Sequence, residues 1–181
     1  MSPSYLTAQS YASDGFAAIP ELISSEEALA LQFECERVFD VTAGHPDRLG
    51  SVSPMIQNLG RDRRLSELAD ELLGEPALLM TESLATTAGL PEPQQMAVPP
   101  EAILAIAVAV QRPNTEQDTI RFHNDRGVRL EPGDAAVFSA ATPHQIDDGA
   151  SKLLLFTFNA ARFGYLYPDL DTLDAAACAA R

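Results

Sequence analysis

The spacing of apolar residues changes period once along this chain, near residue 75. Before that point apolar positions recur every three or four residues. Ala28, Leu31, Cys35, Val38 and Phe39 follow Ser24-Ser25-Glu26-Glu27, where Ser24 is placed to cap a helix and Glu27 to reach back to it. The spacing predicts an amphipathic helix over residues 25–40. Leu65, Leu68, Ala69, Leu72 and Leu73 form a second stripe, predicting a helix over 62–73 that Gly74 ends. Ahead of both, Asp14-Gly15-Phe16-Ala17-Ala18-Ile19-Pro20 reads as a turn and a short strand.

From residue 77 onward short apolar runs alternate with Pro, Gly, Asn and Asp. Strands are expected at 78–84, 102–111, 119–123, 128–130, 135–139 and 152–159, several of them rich in Val, Ile, Phe and Thr. Pro91, Pro93, Pro99 and Pro100 mark an irregular loop. Leu130-Glu131-Pro132-Gly133-Asp134 followed by Ala135 to Phe138 reads as a tight turn feeding a buried strand, with Pro143-His144 at its mouth. Residues 171–181 suggest a short or frayed alanine-rich helix. Helices first and strands afterwards argue for an α+β domain whose core is a β-sandwich or barrel. We expect one domain over 1–181, helical to about 75, β from about 77 to 160, then a tail.

Composition narrows the function classes. With 181 residues, 46% of them hydrophobic, the chain can bury a real core. A formal net charge of -14 disfavours nucleic acid and anionic membrane as partners. The two cysteines, Cys35 and Cys178, give no zinc spacing and no disulfide framework. The opening residues lack a signal-peptide pattern, and the longest apolar run, Ala102 to Val110, is too short to span a bilayer. The expectation is a soluble, cytoplasmic protein, monomer or homodimer, acting on a small molecule.

No Gly-rich phosphate loop or Gly-x-Ser-x-Gly elbow is present, and neither cysteine sits in a nucleophile setting. The candidate chemistry centres on His144, which at the mouth of the strand after the Pro-Gly-Asp turn would face a pocket or else hydrogen-bond within a loop; in a pocket its imidazole could give and take a proton near neutral pH. Glu82, a carboxylate on an apolar strand, would assist His144 if it faced inward; an outward-facing residue is the alternative. Lys152 could bind an anion or sit exposed at the start of a strand. Arg162, after the last strand, could serve a substrate carboxylate or lie at the surface.

The order of these pieces resembles the phytanoyl-CoA hydroxylase-like branch of the iron(II)/2-oxoglutarate oxygenases. The resemblance rests on Asp14-Gly15-Phe16 through Glu27, Leu72-Leu73-Gly74, Ile103 to Val110 with Arg112-Pro113-Asn114, and Leu130 to Phe138 with His144. It spans roughly residues 10–160. It implies a double-stranded β-helix (a jelly roll, cupin-like) with N-terminal helices packed on one sheet. It also implies an iron site of two histidines and a carboxylate, with a basic residue after the second histidine pairing with 2-oxoglutarate.

The residues depart from that pattern. His144 matches the second histidine, and Lys152 lies close to the usual arginine but lacks its bidentate fork. Where His-x-Asp should precede strand 102–111, the chain has Gln94-Gln95-Met96, poor ligands for iron(II) that fall instead to substrate binding. His123-Asn124-Asp125 is a literal His-x-Asp that with His144 would complete a triad. Asp125 precedes His144 by only 19 residues, whereas barrel closure at ordinary strand and loop lengths asks for about 40. A cupin offers no rescue, since its His-x-His motif is missing too.

The expectation is a metal-free enzyme without cofactor, using acid–base chemistry for an isomerisation, cyclisation or dehydration of a small organic substrate, with secondary metabolism as its setting. His144, Glu82 and Lys152 would be catalytic, and Gln94, Met96 and Arg162 would contact substrate. The alternatives are an iron(II)/2-oxoglutarate hydroxylase built on His123, Asp125 and His144, and a non-catalytic binding or accessory protein.

Overall fold

The structure, a computed structural model, describes residues 5–41, 49–85, 98–112, 119–123, 126–146 and 152–166. Helices come first: α1 (Tyr5–Asp14), then, after strand β1 (Phe16–Ile19), α2 (Ser25–Val41), α3 (Leu49–Val52), α4 (Pro54–Gly60) and α5 (Arg63–Leu73). Strands follow: β2 (Ala77–Ala85), β3 (Ile103–Ala109), β4 (Ile120–Phe122), β5 (Gly127–Val128), β6 (Ala135–Ser139), β7 (His144–Ile146) and β8 (Leu153–Ala160).

The predicted local signals act as read. Ser24 N–H donates to Glu27 Oε2 at 2.8 Å and Glu27 N–H donates to Ser24 Oγ at 3.1 Å, so the capping box closes from both sides. Arg64 also grips Glu27, and these bonds hold its carboxyl down to about 2. Asp62 caps α5, and Gly74 ends it in the left-handed region at φ 71°. In the Pro-Gly-Asp turn Gly133 has φ 100°, and a Cβ there would meet the Ile23 carbonyl oxygen at 2.6 Å. Asp134 accepts from both Glu131 N–H and Glu21 N–H, tying this turn to the loop after β1.

A five-stranded antiparallel sheet runs β1-β6-β3-β8-β2, and a three-stranded one runs β5-β4-β7. The larger sheet is covered on both faces. On one, Leu104, Ile106, Val108, Val137, Leu154, Phe156 and Phe158 pack against Ala28, Leu31, Cys35 and Val38 of α2 and Leu65, Leu68 and Ala69 of α5. On the other, Phe16, Ala105, Ala107, Ala109, Ala136, Phe138, Leu153 and Leu155 meet Ile120, Phe122 and Ile146 of the smaller sheet. The side of the larger sheet that faces the smaller one is the interior referred to below.

Several expectations shift. The apolar spacing does not predict α1, α3, α4 or β7, and His144 opens a strand instead of ending a loop. β3 is shorter than 102–111 because Pro100–Ala102 form a 3-10 turn ahead of it. The 171–181 tail and the Pro91 and Pro93 loop lie outside the described residues. Among the described residues, no helix is long and apolar enough to cross a membrane.

Candidate functional site

His144 faces the interior. On β7 it sits opposite Phe122 of β4, whose ring is buried there, and its own half-buried ring lies 4.6 Å from that of Phe138. Phe122 in turn stacks on Phe16 at 3.9 Å, so three phenylalanines from β1, β4 and β6 form the wall beside the imidazole.

The ring is oriented by the turn that leads into its strand. Nδ1 lies 3.0 Å from the Thr142 carbonyl oxygen, which can only accept. In the neutral ring Nδ1 therefore carries the proton and Nε2 carries the lone pair. Thr142 is itself pinned: its N–H donates to Ser139 O, and its hydroxyl donates to the Gly15 carbonyl at 3.1 Å. Gly15 has φ 77°, and a Cβ on it would fall 2.5 Å from Thr142 Oγ1. The Asp14-Gly15 turn is thus shaped to receive the segment that aims His144.

The other expected site residues do not join it. Glu82 is opposite Phe156 and belongs to the helix-covered face, where its Oε1 approaches Gly60 of α4. Desolvation there raises its carboxyl, with Arg61 opposing. Its expected partnership with His144 is corrected: the sheet lies between them. The cause is a bulge in β2 between Leu79 and Thr81. Leu78 pairs with Asn159 on the interior side, and unbroken alternation from it would have turned Glu82 inward. The extra residue reverses the parity.

Lys152 is corrected likewise. It precedes the interior-facing Leu153, and its Nζ binds Glu36 Oε1 of α2 at 3.0 Å, across the covered face. Arg162 is exposed, bound to Glu75 at 3.0 Å and lying over the Phe163 ring. His123 is exposed and follows Phe122, the residue that shares the interior with His144, so it is not presented beside His144. Gln94, Met96 and Asp125 lie outside the described residues.

An iron and 2-oxoglutarate site would need two further ligands beside His144 and a cation for the distal carboxylate. Among the described residues no three His, Cys, Asp or Glu side chains cluster to hold a metal. The interior faces of the described strands carry no Asp, Glu, Lys or Arg. The described residues alone do not complete that site.

Two polar residues that sequence reasoning missed complete the interior. In β8, Leu153 and Leu155 face inward, so Thr157 and Asn159 continue the same row. They are 4% and 1% exposed, yet Thr157 Oγ1 and both polar atoms of the Asn159 amide have no hydrogen-bond partner among the described residues. The available signal was this alternation, with polar residues taking over a row begun by leucines.

No family model matches the chain. No curated protein matches it in sequence either. Solved structures do. The non-heme α-ketoglutarate-dependent carbocyclase SnoK from nogalamycin biosynthesis superposes with a TM-score of 0.68 at 16% identity, covering 88% of this chain and 85% of that one. HygX from Streptomyces hygroscopicus, with nickel and 2-oxoglutarate bound, gives 0.68 at 14% identity, covering 88% of each. EctD from S. alaskensis, with 2-oxoglutarate and 5-hydroxyectoine, gives 0.68 at 17%, covering 87% of this chain and 76% of that one. The chain has the fold of the non-heme iron/2-oxoglutarate-dependent enzymes; at these identities the likeness concerns the fold alone.

Proposed function

We propose that this chain is an enzyme on a double-stranded β-helix that moves protons on a small organic substrate held between its two sheets, without iron or 2-oxoglutarate. The observation that carries this reading is His144: interior-facing, with Nδ1 bound to Thr142 O and Nε2 left as the base. A proton leaves a C–H or O–H of the substrate for Nε2, and the imidazolium returns it at another atom of the same molecule. The sum is an isomerisation or cyclisation; if a hydroxide leaves and takes that proton as water, it is a dehydration. The phenylalanine wall orients the substrate and excludes water. In this reading the one ring acts as base and then as acid.

Anaerobic addition of iron(II) and then 2-oxoglutarate to the metal-stripped protein tests this. We expect no saturable visible charge-transfer band and no iron retained on elemental analysis. A saturable band that vanishes in His144→Ala would replace this reading with an oxygenase.

A further inference from the structure

Buried polar atoms without partners are rare in folded proteins, because each gives up its bonds to water and gains none in return. Here three such atoms sit together, on Thr157 and Asn159 at neighbouring inward positions of one strand. Nothing in the local fold requires polar residues there: Leu153 and Leu155, earlier in the same row, are buried and apolar. Their position relates them to His144. Phe138, whose ring touches His144, is in register with Ala105, and Ala105 is in register with Thr157. Two strand spacings, about 10 Å, separate Phe138 from Thr157. Between them Ala105 contributes only a methyl group.

We infer that Thr157 and Asn159 are the substrate-recognition pair of this interior, and that they select a neutral group offering a donor and an acceptor side by side. Asn159 presents both an N–H and a carbonyl oxygen, and Thr157 a hydroxyl that can do either. A carboxamide, a lactam or a hydroxy-ketone satisfies all three orphaned atoms. A carboxylate does not: it offers no donor to Asn159 Oδ1, and the interior faces of the described strands supply no cation to offset its charge. This deepens the proton-transfer reading by naming the substrate class, because such groups are the ones that acidify a neighbouring C–H or exchange a proton between oxygen and carbon.

The test uses benzamide, benzoate and toluene as matched probes, titrated into the isotopically labelled full chain and followed by amide NMR shifts. Benzamide should shift resonances of β8 saturably, with benzoate and toluene at least tenfold weaker. Thr157→Val, nearly isosteric, and Asn159→Leu should each weaken benzamide at least tenfold. Thr157→Val should also melt no lower than the parent, because it removes an orphaned hydroxyl, and so remains informative if Asn159→Leu fails to fold. His144→Ala should keep benzamide binding, so failure of the acid–base reading leaves this inference standing. It is overturned if benzoate binds as well as benzamide, if benzamide does not bind, if Thr157→Val leaves its affinity unchanged, or if a crystal structure shows a water bridging the pair that saturating benzamide does not displace.

Discussion

The two faces of the five-stranded sheet are made from the same strands and serve different ends. The helix-covered face is lined by Leu104, Ile106, Val108, Val137, Leu154, Phe156 and Phe158, all buried, with large side chains on nearly every strand. The interior face alternates with it residue by residue: Phe16, Phe138, Leu153 and Leu155 lie on it, but between them it carries Ala105, Ala107, Ala109 and Ala136, then Thr157 and Asn159, whose polar atoms have no partner among the described residues. One face is filled as a core is filled. The other keeps its side chains short in the middle and polar at one end, and it faces the histidine. Alternation lets a single strand such as β8 supply stability on one side and recognition on the other.

Adjacent residues of β8 give the sharpest contrast. Phe156→Ala removes a fully buried ring from the covered face and should cost about 3–5 kcal/mol in denaturant unfolding. Thr157→Val, one residue on and facing the other way, should leave the midpoint unchanged or raise it. Equal losses at both positions would erase the distinction between the faces.

Gly15→Ala should come next. Its left-handed backbone costs an L side chain about 1–2 kcal/mol, and its Cβ would push on Thr142 Oγ1, 2.5 Å away. The expected signature beyond lost stability is a changed His144 imidazole environment in NMR, since Thr142 holds that ring.

The helix layer offers a smaller effect. Ser24→Ala should cost about 1 kcal/mol through the lost cap. Glu27 is held down to about 2, so the stability its carboxylate gives is fully present above the ordinary carboxylate range and is lost as pH falls through that range toward about 2. Glu27→Gln should therefore shift the acid limb of a melting-temperature profile, and it should do so without altering the His144 resonances.

Glu82 gives the smallest effect, and one of opposite sign. Its carboxyl is raised by burial, so folding favours the protonated form and stability falls as pH rises through its folded pKa. Glu82→Gln should raise the melting temperature slightly near neutral pH and leave it unchanged well below the carboxylate range. A loss of binding at the interior in this variant would contradict its placement on the covered face.

Much of the scaffold was legible in the sequence, because its signals are local. The capping box at Ser24, the αL stop at Gly74 and the Pro-Gly-Asp turn are each written in a few adjacent residues, and each forms. α1 was not legible, since Tyr5–Asp14 carries no clear apolar stripe. α3 and β7 are too short for a period to show, at four and three residues. At the site, His144 could be singled out from its place after the Pro-Gly-Asp strand. Glu82 could not be placed, because its face depends on a bulge that leaves no mark in composition. Lys152 was drawn to the site by its distance from His144 along the chain, while its direction was set by the strand's alternation and by Glu36 on α2.

The most direct measurement is the imidazole nitrogen NMR spectrum of the chain labelled at histidine, before and after stoichiometric iron(II) and 2-oxoglutarate without oxygen. The chain has three histidines, and His45, a ligand in neither reading, serves as the internal control. We expect neutral His144 to be protonated at Nδ1 and its signals, like those of His123, to survive the additions. A neutral ring protonated at Nε2, or loss of the His144 signals, with or without those of His123, while those of His45 persist, would contradict a metal-free proton-transfer site at His144.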